Sequence, residues 1–502
     1  MQTHTVRVHP SSDTPAREEQ LAWRLARVAT DDAPIDPAAA EMVANRLIDN
    51  AAVGLAAIDR QPVRAARAQA LAHPRSAGAT LMGIDPAQRF DAEWAAWANG
   101  VAVRELDMHD TYLAADYSHP ADNLPPILAV AQQCGRGGAD LVRAALVAYE
   151  VQIALVKSIC LHKHKKDHVA HLCPAQAAGI GALLGLSTET IYQAIQQAVH
   201  VSFATRQSRK GEISSWKAHA PAHAGKLAVE AVDRAMRGER SPSPIYEGED
   251  SVVAWMLDGP EAEYRIELPE PGEPRRLILE SYTKAHSAEY QSQALIDLAF
   301  KIRQQVPDLD SVEKITIHTS HHTHYVIGTG AGDPQKMDPT ASRETLDHSL
   351  MYIFAVALED GVWSHNASYT PERAARPSTV ALWRKIETAE DPVWTERYHH
   401  SDPAQKAFGG RVELLLKSGE RLVEELAVAD AHPAGAKPFA REDYLGKFND
   451  LTDGIVDGAE SSRFVALCER LGDLAPEEML GLNPVAQPEA ISVTERNHEG
   501  IF

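Results

Sequence analysis

Apolar residues recur at helical spacing through the first half of the chain and at strand spacing in parts of the second. Residues 15 to 240 read as successive helices. Ala139 to Lys157 is apolar nearly all round, as expected of a helix buried on every side. Pro174 to Leu186 follows, and Ser187 supplies an N-cap for a helix over Thr188 to Val201. At Pro269-Glu-Pro-Gly-Glu-Pro274 the composition shifts abruptly, which marks a domain boundary. Beyond it, Lys314 to His318 alternates with period two, and Arg411 to Leu426 reads as a hairpin turning at Ser418-Gly419. Between these strands a helix is predicted to open at Asp338-Pro339 and stop at Gly361. The last ~65 residues return to helix signals. The pattern predicts a mainly α protein with a smaller α+β domain. A large all-helical domain spans 1–277, an α+β, lid-like domain spans 278–436, and C-terminal helices over 437–502 pack back on the first.

Composition sharpens this picture. A chain of 502 residues can bury a large core. With 44% hydrophobic but only 6% aromatic residues, and alanine dominant over the first 240, it favours close-packed helices over a β-sandwich. The formal net charge of -21 argues against nucleic acid or an anionic membrane as a partner. It also makes any local basic cluster more telling, because an anionic substrate needs one to overcome the overall field. Four cysteines without a Cys-x-x-Cys pair do not make a disulfide framework, a zinc knuckle or a cysteine-held iron–sulfur cluster. Residues 1–19 are polar and lack the apolar segment of a signal peptide, and no apolar run approaches the ~18 residues of a membrane span. A cytoplasmic protein is expected.

The densest chemistry lies between Arg104 and Asn123, where twenty residues hold four aspartates, two histidines, a threonine and two tyrosines. Asp107, Thr111 and His119 sit there on an irregular segment ending in His119-Pro120, and a run of this polarity is not expected in a core. A solvated loop or a calcium-type site are alternatives, although the alternating oxygens of a calcium loop are missing. Gly179-Ile-Gly-Ala-Leu-Leu-Gly185 lies inside a helical pattern with no strand before it, so it reads as tight helix packing rather than a dinucleotide loop. Gly328 to Asp333 is either a carboxylate-holding turn or a plain one. His162, His164, His168 and His171 cluster in sequence, as do His321, His322 and His324, but with no His-Glu-x-x-His or facial-triad spacing. Neither metal nor cofactor is expected.

Six segments in order carry a family resemblance. Leu106-Asp-x-x-Asp-Thr111 followed by His119-Pro120 resembles the opening motif of the MmgE/PrpD family. Asp167-His168 before an alanine-rich helix, and Ser215-Trp-Lys217, are similar to its second histidine motif and first lysine segment. Lys284-Ala-His-Ser-Ala resembles its second lysine segment, and His324-Tyr325 matches the position of an active-site tyrosine. Ser342 to Gly361 resembles the family's Asp-His-Ser-x-x-Tyr helix, although Asp347 and His348 also read as ordinary helix-surface residues. Seven residues separate Thr111 from His119, two more than in animal-type decarboxylases, which favours the dehydratase branch.

The resemblance implies removal of water from 2-methylcitrate, a step of propionate breakdown, by general acid–base chemistry without iron. It implies catalytic roles for His119, His168, Lys217 and Asp107, and substrate binding by Thr111, Lys284 and Tyr325. Histidines suit the proton transfers and lysines the three carboxylates of a small tricarboxylate substrate. An interdomain cleft and a homodimer are further implications. Two alternatives stay open: decarboxylation of cis-aconitate to itaconate, and a non-catalytic tricarboxylate- or metal-binding protein on the same scaffold.

Overall fold

The computed structural model describes residues 1–502 except Pro307, Ser401 and His498. The first half is a helical body built around Pro37–Ala56, Ala92–Glu105, Gly138–Ser158, Val169–Leu184, Thr188–Ser202 and Trp216–Met236. Local chemistry sets their ends. The Asp36 carboxylate accepts from the amides of Ala38 and Ala39, and Pro37 takes the first helical position. Ser187 caps Thr188–Ser202 by accepting from the Thr190 amide. Small residues let the helices touch: a Cβ on Gly100 would lie 2.9 Å from that of Ala222, and one on Gly179 2.9 Å from that of Ala148. The glycines of 179–185 thus serve helix packing, and Gly185 ends Val169–Leu184 in a left-handed conformation.

The predicted all-helical stretch also contains strands. Gln2–Arg7 pairs antiparallel with Glu263–Leu268, burying Val6, Tyr264, Ile266 and Leu268 against the helical body. The second half holds a four-stranded sheet in the order Ile386–Glu390, Val312–Thr319, Gly410–Leu416, Arg421–Leu426. The first pair is parallel and the other two antiparallel, with Gly419 at φ +87 in the hairpin turn. Helices Gln293–Gln305 and Leu350–Asp360 complete a separate apolar core around this sheet.

The predicted helix from Asp338 to Gly361 is instead two. Asp338 closes a turn onto Thr340, Arg343–Leu346 makes one helical turn, and Leu350–Asp360 starts afresh. The cause is local competition: Ser342 and Ser349 each accept from the amide three residues on, and so act as two N-caps. Asp347 and His348 fall at the break.

Helix Arg441–Thr452 lies along Pro37–Ala56. Its Lys447 reaches into the body, donating to Asp49 Oδ1 at 2.6 Å, the Met108 carbonyl at 2.7 Å and the Lys284 carbonyl at 2.9 Å. Among the described residues no helix is long and apolar enough to cross a membrane. Replacing Lys447 by alanine leaves the Asp49 carboxylate buried and unpaired, which should cost about 3–5 kcal/mol of stability in urea unfolding.

Candidate active site

The run from Asp107 to Asn123 is buried, contrary to the expectation for so polar a sequence. It tolerates burial because its polar groups partner one another and the surrounding helices. Helix Ala92–Glu105 stops, and Asp107 takes a left-handed conformation, φ 51, that asparagine and aspartate adopt more readily than other side chains. Asp110 accepts from the Ala121 amide and the Tyr149 hydroxyl, both at 2.8 Å, with Arg46 nearby at 3.5 Å. Thr111 exchanges backbone hydrogen bonds with Tyr282, and its hydroxyl donates to the Ser118 carbonyl at 2.8 Å. That bond closes the short hairpin Tyr112–Leu113/Tyr117–Ser118, which leads into His119.

Asp107 is the centre of a buried charge cluster. It meets Arg104 Nη1 at 2.5 Å, Lys284 Nζ at 2.5 Å and Lys217 Nζ at 3.0 Å. Lys217 also donates to both oxygens of Asp347 at 2.7 Å, and Arg343 reaches Asp347 at 3.1 Å. Burial alone would raise the Asp107 pKa. Arg104, Lys217 and Lys284 reverse that and hold it well below the usual carboxylate range. Asp347 is depressed in the same way, burial being outweighed by Lys217 and then His348. Four cations face two carboxylates here, so the cluster carries surplus positive charge.

Asp107, Asp347 and His348 stand close enough to share a metal ion. Lys217 Nζ lies 2.7 Å from Asp347 and 3.0 Å from Asp107, so an ammonium already occupies the place an ion would take.

Beside the cluster is a narrow cavity whose wall includes Arg104, Asp107, His119, Arg206, Glu289 and His348. It continues past His162, Arg206 and His322 into a wider groove edged by Lys163, Lys165, Lys166 and Lys210. The guanidinium of Arg206 makes no hydrogen bond or ion pair among the described residues, and its Nε is buried. Burial lifts the Glu289 carboxyl to about 7, against the pull of Lys284.

Not every expected residue meets at this cavity. His119 lines it: Nδ1 donates to the Asp110 carbonyl at 2.9 Å, so Nε2 is the acceptor for Arg104 at 3.2 Å. His168 stands behind the wall, with Nε2 accepting from Arg209 at 3.1 Å. Lys217 and Lys284 face carboxylates rather than the cavity, and the Thr111 hydroxyl is committed to the hairpin. Tyr325 is half exposed in the outer groove, packed on His321 and His324. Sequence reading missed Arg206, Arg209, Arg343 and Glu289. The basic run Arg206–Lys210 in an acidic chain was the available signal.

Burial depresses His162, His168 and His348 to about 3 and His322 to about 4, and holds His119 well below its usual range. These rings stay neutral when folded but take up protons below about pH 6.5 when unfolded. The stability they hold above pH 6.5 is therefore lost as pH falls. Glu289 and Asp116, raised to about 7 by burial, act in the opposite sense. Elsewhere His171 and His432 join the first set, and Glu150 and Glu247 the second. Histidines outnumber carboxyls, so thermal melts from pH 7.5 to 5 should show the midpoint falling with acidification.

Residues 19–265 match the model of the MmgE/PrpD N-terminal domain and residues 286–472 that of the MmgE/PrpD C-terminal domain. The chain is 28% identical over 363 residues to a mitochondrial 2-methylcitrate dehydratase of Yarrowia lipolytica, covering 69% of this chain and 67% of that protein. It is 27% identical over 391 residues to the 2-methylcitrate dehydratase of Escherichia coli K12, covering 74% and 75%. For that of Cupriavidus necator the figures are 28% over 374 residues, 71% and 72%. With both halves of the chain matched in order, the protein belongs to the MmgE/PrpD family.

Proposed function

We propose that this chain is a 2-methylcitrate dehydratase, removing water to give 2-methyl-cis-aconitate. The observation that carries the reading is the unpaired Arg206 guanidinium in the wall of a buried cavity, beside a cluster with surplus positive charge. Arg206 is half-buried with its Nε shielded from water and unpaired, and a substrate with three carboxylates supplies the missing partner. The relatives' activity names the tricarboxylate.

Deprotonation next to a carboxylate builds negative charge on its oxygens. Arg104, Lys217 and Lys284 provide a fixed positive field where that charge grows, without reorganising during the reaction. Lys217 and Lys284 act through this field while neutralising Asp107, and Asp107 holds them in place. When Arg104 turns to a substrate carboxylate it releases His119 Nε2, while Asp110 keeps the ring fixed through Nδ1. His119 then meets the leaving hydroxyl, and the incoming trianion raises the ring's depressed proton affinity. His168 positions Arg209, Thr111 positions the hairpin, and Tyr325 meets substrate in the outer groove.

The test is to incubate chelator-treated protein with 2-methylcitrate and follow the ultraviolet absorbance of the conjugated alkene. A parallel incubation with cis-aconitate is checked for itaconate. Alkene without itaconate is the expected result; itaconate alone would refute the dehydratase reading. Replacing Arg206 by alanine should remove one charge-assisted hydrogen bond of about 1.5–3 kcal/mol. We expect kcat/KM to fall by roughly 10- to 100-fold, mainly through KM, in steady-state assays.

A further inference from the structure

The elimination needs a base whose lone pair is free to meet a substrate carbon. His119 Nε2 accepts from Arg104, and His168 lies behind the cavity wall with Nε2 accepting from Arg209. His348 differs from both. Its Nδ1 lies 2.5 Å from Asp347 Oδ1. Asp347 is ionised, held so by Lys217 and Arg343, and can only accept, so Nδ1 must carry the proton. The Lys217 ammonium, 3.5 Å from Nδ1, is then a neighbouring donor and not a bonding partner. In the neutral ring this leaves the lone pair on Nε2. Among the described residues the ring hydrogen-bonds through Nδ1 and not through Nε2, and His348 forms part of the cavity wall with Arg104, His119 and Glu289.

The break between Arg343–Leu346 and Leu350–Asp360 creates this geometry. In a continuous helix, neighbours point about 100° apart. Here Ser349 restarts the helix, so Asp347 and His348 lie in the irregular link and their side chains meet. We propose that His348, oriented by Asp347, is the base that removes the proton from the substrate carbon. The proposal rests on the dehydratase reading and adds to it a catalytic residue and a positioning residue.

The step balances as follows. The Nε2 lone pair forms a bond to the proton of the methyl-bearing methine, and the C–H electron pair becomes the second bond of the alkene. The adjacent C–O bond breaks, and oxygen leaves with its electron pair as water, taking the Nε2 proton that His119 gains from solvent when the trianion binds. The His348 imidazolium is stabilised by Asp347 until it returns its proton to solvent, and His119 is reprotonated from solvent. Burial and Lys217 disfavour that imidazolium, and a bound trianion opposes them.

The experiment compares wild type, His348→Gln and Asp347→Asn with 2-methylcitrate carrying hydrogen or deuterium at the methine. His348→Gln should lower kcat by roughly 10²- to 10⁴-fold with little change in KM, and imidazole should partly rescue His348→Ala. Asp347→Asn should lower kcat more than KM and enlarge the deuterium isotope effect, because the positioned base is what it weakens. A folded His348→Gln that keeps wild-type turnover overturns the proposal. Should that variant not fold, Asp347→Asn decides, and unchanged kcat and isotope effect there overturn it equally. A wild-type protein that forms no alkene refutes the dehydratase reading itself. An active wild type matched by His348→Gln refutes only the assignment of the base.

Discussion

The Asp107 carboxylate is shared by three cations from three separate parts of the chain. Arg104 comes from the end of one helix, Lys217 from the start of another, and Lys284 from the passage between the helical body and the sheet. None of these groups is stable alone at such depth. An isolated buried charge faces a desolvation penalty of several kcal/mol, and each member relieves the others. The cluster therefore constrains more than local geometry. It fixes the relation of helices Ala92–Glu105 and Trp216–Met236 to each other, and through Lys217 and Asp347 it ties both to the second core. An ion network of this kind is a weak source of net stability, but it admits few alternative arrangements.

Much of this could be read from the sequence, for identifiable reasons. The helix over 138–158 and the hairpin at Ser418-Gly419 follow from periodicity and a turn glycine, both local signals. Asp107, His119, Lys217 and Lys284 came from resemblance, and Asp107 does join the two lysines. The depth of the 107–123 run was not legible, because its tolerance of burial depends on partners such as Tyr149, Arg46 and Tyr282, remote in sequence. The two-part helix at 343–360 was misread because Ser349 looks like an ordinary interior residue until its side chain is seen capping Tyr352. Arg206 and Arg209 lie in a visibly basic run, but nothing in that run reports that one guanidinium is unpaired while the other serves His168 and Asp167.

An acidic protein with a basic cavity has a particular electrostatic form. Its formal charge of -21 repels a tricarboxylate at long range, but screening confines that repulsion to a Debye length of about 8 Å, and inside it the charges nearest the groove count most. Lys165 and Lys166 edge that groove without an ion pair, Lys163 and Lys210 pair with Asp258 and Asp333, and positive charge continues inward through Arg206 to Arg104. Field lines confined by low-dielectric walls reach the reacting region with little screening.

Lys447 gives this arrangement an order in time. Its ammonium bonds the carbonyls of Met108 and Lys284, the first next to Asp107 in the chain and the second on the lysine that holds Asp107. During synthesis every ionisable member of the Asp107 cluster leaves the ribosome before residue 447. Until helix Arg441–Thr452 follows, the backbone carrying two of those members lacks its strut. All the charges of the cluster are thus present in the nascent chain before the helix that braces the backbone of Met108 and Lys284.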